Sequence, residues 1–441
     1  MSNEKLDLIE NSLKAKNIEE YEIYLVDKEI YETIFLKNNI DNERQARGFK
    51  FFLRILEQKP ETTGIGVILG SSLDPNQLKK DIDICKKIAK MNSSPKYHFP
   101  DKKSIKSINS ADPKVISDPI GTKQRYCEEL ISEALNQKDV QTTFGRFRIH
   151  KNHKFLRNSN GINLDSMKTF FFVEFAFKAE KNDSLSEFWD YTYYKEKEHL
   201  NFSKRVEHWA KRAKDTLIAQ QPISNDNAIV IFTPEVLQSA LSPIEVHSLG
   251  EAHYEKISSF DIGEKVASTE FSLVDNGLLE GGMGTGAWDG EGNPQQKTEV
   301  IIKGIFKNRL YDQKYSLLEA TNPTGNAKRT ENGGVSNGVT NLEILAGSIN
   351  LEEMISNIDD GYYIDKFSWL RPDPISGSFG AEIRNGYIIK NGELTTPIKL
   401  GNVSGNSLEM IKNCLYISKE REFSQNTLFP YIAFSNLNVS S

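Results

Sequence analysis

The sequence predicts an α+β protein in three parts: an N-terminal α/β sandwich-like domain, a middle strand-and-helix region, and a C-terminal domain of mostly antiparallel sheet with few helices. Three observations support this. At 441 residues the chain is long enough for more than one hydrophobic core. Up to about residue 220, apolar residues at helical spacing alternate with runs rich in β-branched and aromatic residues. Beyond residue 226, short strand-like runs broken by turn residues dominate. The parts are placed at 1–138, 139–225 and 226–441.

Leu6, Ile9 and Leu13 share one face of a helix over residues 4–17. Residues 21–26 and 30–36 read as strands about a turn at Asp27-Lys28, and strands at 48–56 and 64–69 continue the sheet. Asp74-Pro75 opens a helix through residue 90, with Asp as cap and Pro in the first turn. Residues 92–121, rich in Ser, Pro, Lys and Asp, are expected to form a long surface connection, and 122–137 a helix. Strands at 141–150, 154–158 and 168–178 surround the turn tetrad Asn158-Ser159-Asn160-Gly161. His150 and His153 lie on opposite faces of a strand and are expected in solvent.

Residues 184–220 read as helical. Trp189, Tyr191, Tyr193 and Tyr194 form an aromatic cluster suited to core or interface packing; His199 and His208 suggest nothing specific. A strand at 228–232 runs into the helix start Thr233-Pro234-Glu235. Later strands are expected at 297–306, 341–349, 362–368, 381–384, 387–390 and 393–396, with a hairpin turn at Asn391-Gly392. The pair Asn406 and Glu409 predicts a capping box opening a last helix over 407–416.

Composition excludes several classes. Hydrophobic residues make up 38% and charged residues 26% of the chain, as in a water-soluble protein, and a net charge of −6 gives no basic footprint for nucleic acid. Cys85, Cys127 and Cys414 form no C-x-x-C pair and read as reduced packing thiols. The first residues are acidic with no apolar signal core, and no apolar run approaches a membrane span, so a cytoplasmic location without membrane or nucleic-acid partners is expected.

The densest information lies in residues 280–329. Glycines crowd the stretch from Gly281 to Gly292 around Trp288, Asp289 and Glu291. Such density means close backbone approach or repeated positive φ, and the reading is a glycine-rich loop with acidic tips that forms part of a cleft. A phosphate cradle is rejected, because the P-loop pattern and a following helix are missing and Glu280, Asp289 and Glu291 would repel an anion. Asp289-Gly290-Glu291-Gly292-Asn293-Pro294-Gln295-Gln296-Lys297-Thr298, then Ile301-Ile302-Lys303-Gly304, Tyr311-Asp312 and Thr324-Gly325-Asn326-Ala327-Lys328-Arg329 occur in order. This block resembles the TldD/PmbA family of cytoplasmic peptidase subunits, also called peptidase U62 or modulator of DNA gyrase. Asn391-Gly392-Glu393, Pro397 and Gly405-Asn406 resemble that family's C-terminal block.

Catalytic members of the family carry His-Glu-x-x-x-His on a helix, completed by a distant Cys. That set holds zinc with one position open, and the Glu takes a proton from the bound water. Aligned from Pro234, the first His falls on Ser242, the Glu on Pro243 and the second His on His247. The first two cannot do this work. Ser242-Pro243-Ile244-Glu245 reads instead as a fresh helix start with Ser as cap. His247 and His253, with Glu245, Glu251 and Glu255 around them, would lie about 120° apart on one helix; they are the metal candidates the sequence offers, and solvated or cleft-lining histidines are the favoured reading.

The resemblance therefore implies the PmbA/TldE branch: a metal-free subunit that pairs with a zinc-bearing TldD-like paralogue and lines the path of an unfolded peptide. Trp288, Asp289, Glu291, Pro294, Thr298, Gly325 and Asn326 are the expected substrate-path or interface residues, and no catalytic residue is assigned. Two alternatives stand beside it: a self-sufficient metallopeptidase with a non-standard site near His247, and a non-catalytic homodimeric peptide-binding protein.

Overall fold

The computed structural model describes residues 2–181 and 184–441. Its N-terminal half is built from α1 (Ser2–Lys14), β1 (Tyr21–Leu36), β2 (Asn39–Gln58), β3 (Thr63–Gly70), α2 (Pro75–Met91), α3 (Pro113–Ser117), α4 (Pro119–Leu135), β4 (Val140–Asn158), β5 (Asn163–Lys181), β6 (Ser184–Tyr194), α5 (Lys197–Leu200) and α6 (Phe202–Ile218). The six strands make one antiparallel sheet in the order β3-β2-β1-β4-β5-β6. This sheet spans the boundary read at residue 139, which falls between α4 and β4. Helices cover one of its faces. Leu6, Ile9 and Leu13 of α1 and Leu78, Ile82 and Cys85 of α2 pack on Ile23, Leu25 and Leu53. Val206 and Trp209 of α6 pack on Phe147, Phe171 and Phe175.

Several local expectations change here. There is no turn at Asp27-Lys28: Asp27 pairs with Phe49 and His153, and Lys28 with Gly48 and Asn152, so β1 runs straight through. Partners on both sides outweigh the poor β preference of two charged residues, and Lys5 neutralises Asp27 at 2.7 Å. Residues 184–194 are strand β6, not helix. Ser186, Phe188 and Asp190 point inward while Glu187, Trp189 and Tyr191 point out, a period of two that the aromatic content obscured. The connection before α4 is not all surface, since Tyr97 and Phe99 are buried. His150 is not in solvent either: its ring stacks on Phe170 at 4.5 Å, and burial pushes its pKa down to about 4.

The C-terminal half comprises β7 (Asn225–Phe232), α7 (Pro234–Ala240), α8 (Ser242–His247), α9 (Gly250–Tyr254), β8 (Leu273–Asn276), β9 (Lys297–Ile302), β10 (Ile305–Phe306), α10 (Gln313–Leu318), β11 (Ala327–Arg329), β12 (Val335–Asn337), β13 (Leu342–Ile344), α11 (Leu351–Ser356), β14 (Asp360–Phe367), β15 (Ser378–Lys390), β16 (Glu393–Ile398), β17 (Asn402–Asn406), α12 (Ser407–Met410), β18 (Cys414–Ser424) and β19 (Thr427–Ser440). Eleven strands form one sheet, with β11 and β12 a separate hairpin. Strand β7 pairs with β14 on one side and β19 on the other, so the path β19-β17-β15-β14-β7 closes on itself. Closure buries Val230, Phe232, Ile364, Ile383, Phe434 and Leu437 in the main core.

The hairpin turn at Asn391-Gly392 is present, both residues at positive φ. The two short strands expected at 381–390 are one strand, β15, and 297–306 is a hairpin rather than a single run. Asn406 caps α12 by accepting from the amides of Leu408 and Glu409, but the helix ends at Met410. Cys414 therefore starts β18 instead of lying in a helix, and the long hairpin β18–β19 was not anticipated. No helix among the described residues is long and apolar enough to cross a membrane.

Candidate functional site

Helix α7 begins after Thr233, whose hydroxyl accepts from the Val236 amide at 3.4 Å, with Pro234 in the first turn. It leads straight into the degenerate motif. Ser242 is the first residue of α8 rather than its cap; Leu241 holds that place and no side chain caps the helix. Pro243 is buried. His247 is buried too, and both ring nitrogens are used: Nδ1 accepts from the Ser259 amide at 2.9 Å, so Nε2 carries the proton and donates to the Ile375 carbonyl at 2.9 Å. Burial lowers the pKa of this imidazole and keeps it neutral.

His253 lies on the separate helix α9, at the surface, 2.5 Å from Glu319. The two histidines do not share one helix as expected, and His247 is neither solvated nor cleft-lining. Cys414 donates to the Ile411 carbonyl at 3.4 Å, and burial pushes its thiol up to about 12. Among the described residues no group of three or more His, Cys, Asp or Glu is placed to hold a metal. The residues at the family's zinc position do not fit zinc.

The glycine-rich loop is a clamp between the halves. Asp289 and Glu291 are buried, not acidic tips. Glu291 accepts from Arg54 of β2 at 2.8 Å, from the Tyr97 hydroxyl at 2.5 Å and from the Gln313 amide at 3.2 Å. Arg54 also meets Glu22 at 3.4 Å, and Arg329 reaches the same Glu22 carboxylate. Asp289 accepts from the amides of Glu291, Asn293 and Ala327, so one carboxylate ties its own loop to β11. Trp288 packs edge-on against Tyr24 of β1, ring centres 6.2 Å apart.

Gly325, at φ +81°, lies so close to Pro294 that a Cβ would stand 2.4 Å from its carbonyl oxygen; this is why glycine sits there. Asn326 donates to Asp275 at 2.7 Å and to the Gly338 carbonyl. Burial, then the neighbouring Glu291 charge, pushes Asp289 and Asp312 each up to about 7, and burial pushes Asp275 to about 6. Of the residues singled out from the sequence, Trp288, Asp289, Glu291, Pro294, Gly325 and Asn326 thus meet in this clamp. Thr298 instead borders a pocket of about 450 Å³ along β9, with Lys297, Glu299, Asn308 and Tyr311.

A much larger cavity, about 1060 Å³, opens between β6, α6, α7, the end of β14 and β18. Its floor is a charge network. Arg212 of α6 makes a two-pronged pair with Asp365 at 2.6 and 2.7 Å, reaches Asp190 at 2.9 Å and approaches Glu235 at 3.4 Å. Lys366 joins Asp190 and, at 3.2 Å, Glu235, while His208 lies 3.3 Å from Asp365. Burial opposes ionisation of Asp365, but Arg212 and His208 outweigh it and hold its carboxyl well below the usual range. Trp189, Tyr191 and Trp369 stand exposed among the lining residues.

None of this network was found from the sequence. Asp190 and Asp365 stand 22 and 153 positions from Arg212, beyond the reach of any spacing rule. The usable hint was the alternation of β6, which sends Asp190 inward and Trp189 and Tyr191 outward.

Residues 225–441 match the family described as PmbA/TldA metallopeptidase C-terminal domain. Those residues thus form a domain of the TldD/PmbA family's C-terminal type. A metalloprotease TldD homolog from Buchnera aphidicola is 29% identical over 245 residues, covering 54% of this chain and 50% of the relative. A Methanocaldococcus jannaschii protein of uncharacterised role is 29% identical over 276 residues, covering 59% of this chain and 60% of that relative. The chain thus spans about half the length of the first of these relatives and somewhat more of the second. The crystal structure of TldE from Thermococcus kodakarensis superposes with a TM-score of 0.87 at 21% identity, over 98% of this chain and all of that one, so the fold is shared.

Proposed function

We propose that this chain is the metal-free member of a two-subunit metallopeptidase of the TldD/TldE type, acting on unfolded peptides beside a zinc-bearing TldD-like paralogue. The observation that carries the reading is the state of the family's zinc position. Ser242 and Pro243 supply neither ligand nor base, and His247 spends both nitrogens on backbone groups. A histidine so engaged would have to break two hydrogen bonds before it could bind a metal. The clamp supports a structural rather than catalytic role for the glycine-rich loop, because its carboxylates are consumed internally.

Peptide contact is assigned to the outer edge of β9. There β10 pairs with Ile301 and Ile302, and the Asn308 side chain caps the Glu299 carbonyl, while Lys297 and Thr298 border the neighbouring pocket. Edge addition there would hold peptide backbone whatever its side chains.

Co-expression with a His-Glu-x-x-x-His paralogue tests the proposal. Native mass spectrometry should find a heteromer, and elemental analysis should find zinc in the complex but not in this chain purified alone. Stoichiometric zinc in the lone chain that disappears in His247→Ala would replace this reading with a self-sufficient peptidase. Failure to form any heteromer would favour the homodimeric binding protein.

A further inference from the structure

Of the cations lining the large cavity, Arg205 is the one held by aromatic rings outside the charge network. Arg205 lies about two turns before Arg212 on the same face of α6, yet among the described residues no carboxylate stands within ion-pair distance of it, whereas Arg212 has three. Its guanidinium is held over the rings of Tyr194 at 5.6 Å and Trp209 at 5.8 Å and donates to the Tyr194 hydroxyl. Glu235 and Glu422 act on it from farther away, and each is engaged elsewhere, Glu235 with Arg212 and Lys366, Glu422 with the Tyr431 hydroxyl at 2.7 Å. A half-buried guanidinium fixed by two aromatic rings and the Tyr194 hydroxyl keeps its remaining N–H groups for a planar anion.

The surroundings restrict what that anion is. Trp369, 73% exposed, stands in the lining, which suits an apolar group next to the charge. Glu198, Glu235 and Glu422 also line the cavity and disfavour a dianion such as phosphate. A volume of about 1060 Å³ exceeds what a single amino acid fills.

We propose that this cavity captures the C-terminal end of a peptide, with the terminal carboxylate on Arg205 and an apolar last residue against Trp369. The inference rests on the peptide-handling reading above and adds to it which end of the peptide this subunit holds. Residues 234–239 of α7 form one wall, and the Ser242–His247 segment follows that helix outside the lining.

The test uses the full chain and an N-acetylated pentapeptide ending in Leu-Phe, as free acid and as C-terminal amide, titrated calorimetrically. The free acid should bind about tenfold or more tightly than the amide, as one charge-assisted, two-pronged contact provides. Arg205→Gln should abolish that preference, and Trp369→Ala, at an exposed position that leaves folding untouched, should weaken both peptides alike. Equal binding of acid and amide, binding of neither, or a preference that survives Arg205→Gln overturns the proposal. The two readings fail separately. Loss of acid preference with a heteromer that still cleaves peptide removes this inference alone, and acid preference without any heteromer removes the subunit assignment.

Discussion

Two buried charge clusters sit in this chain, and they are built on opposite plans. The clamp at the glycine-rich loop gathers Asp275, Asp289, Glu291 and Asp312, with Arg54 its one buried guanidinium on Glu291. Its carboxylates lean on backbone amides, and burial drives several toward protonation. The cavity floor sets Arg212 and Lys366 against Asp190, Glu235 and Asp365; there the cations win at Glu235 and Asp365, while burial still holds Asp190 above its ordinary value. The clamp lies in the seam between the two halves, away from solvent. The floor lines an open cavity. The difference teaches that glycine and acid density in the sequence marked a joint, whereas the buried charge beneath the cavity came from residues with no local signature.

The largest expected break is Arg212→Met. It leaves three carboxylates facing one another around Lys366, and loss of about 3–5 kcal/mol in urea unfolding is expected, the range for breaking a buried pair. Arg54→Met should cost less, about 2–3 kcal/mol, because Arg329 still serves Glu22 while Tyr97 and the Gln313 amide still serve Glu291. Equal losses at the two arginines would contradict the contrast drawn here. Tyr97→Phe removes one donor from Glu291 and should cost about 1–2 kcal/mol in the same assay.

The two clusters should also answer pH in opposite senses. A carboxyl with a raised folded pKa contributes stability that is complete below its unfolded value of about 4 and lost as pH rises through the folded one. Asp289 and Asp312 at about 7 and Asp275 at about 6 therefore weaken the clamp between roughly pH 4 and 7. Asp365, held low, contributes stability above about 4 that is lost as pH falls through its depressed pKa. Urea midpoints at pH 5, 6, 7 and 8 should decline toward the alkaline end. Asp312→Asn, which keeps the cap on the Tyr315 amide, should flatten that decline; an unchanged slope would remove Asp312 from the account.

Much of the fold was legible because its signals are local. Asp74-Pro75, Thr233-Pro234, Asn391-Gly392 and Asn406 all act within four residues, and each is found at the cap or turn its chemistry dictates. The errors arose where partners across a sheet decided the outcome. β1 ran through Asp27-Lys28 because strands flank it on both sides, and β6 formed because its alternating face meets β5 along its whole length. The loss of the zinc motif at Ser242 and Pro243 was likewise legible from residue chemistry. That His247 is locked by Ser259 and Ile375 was not, since one partner lies 12 and the other 128 positions away.

By itself, then, the sequence determined the strand-rich α+β class, the caps and turns, the family of the C-terminal half, and the absence of a working His-Glu-x-x-x-His. The tertiary structure decided the rest. It turned the glycine-rich loop from a supposed cleft wall into a seam, since glycines admit close backbone approach but do not say what approaches. It assembled Asp190, Arg205, Arg212 and Asp365 around one cavity, because charges pair through space once the strands and helices that carry them have packed.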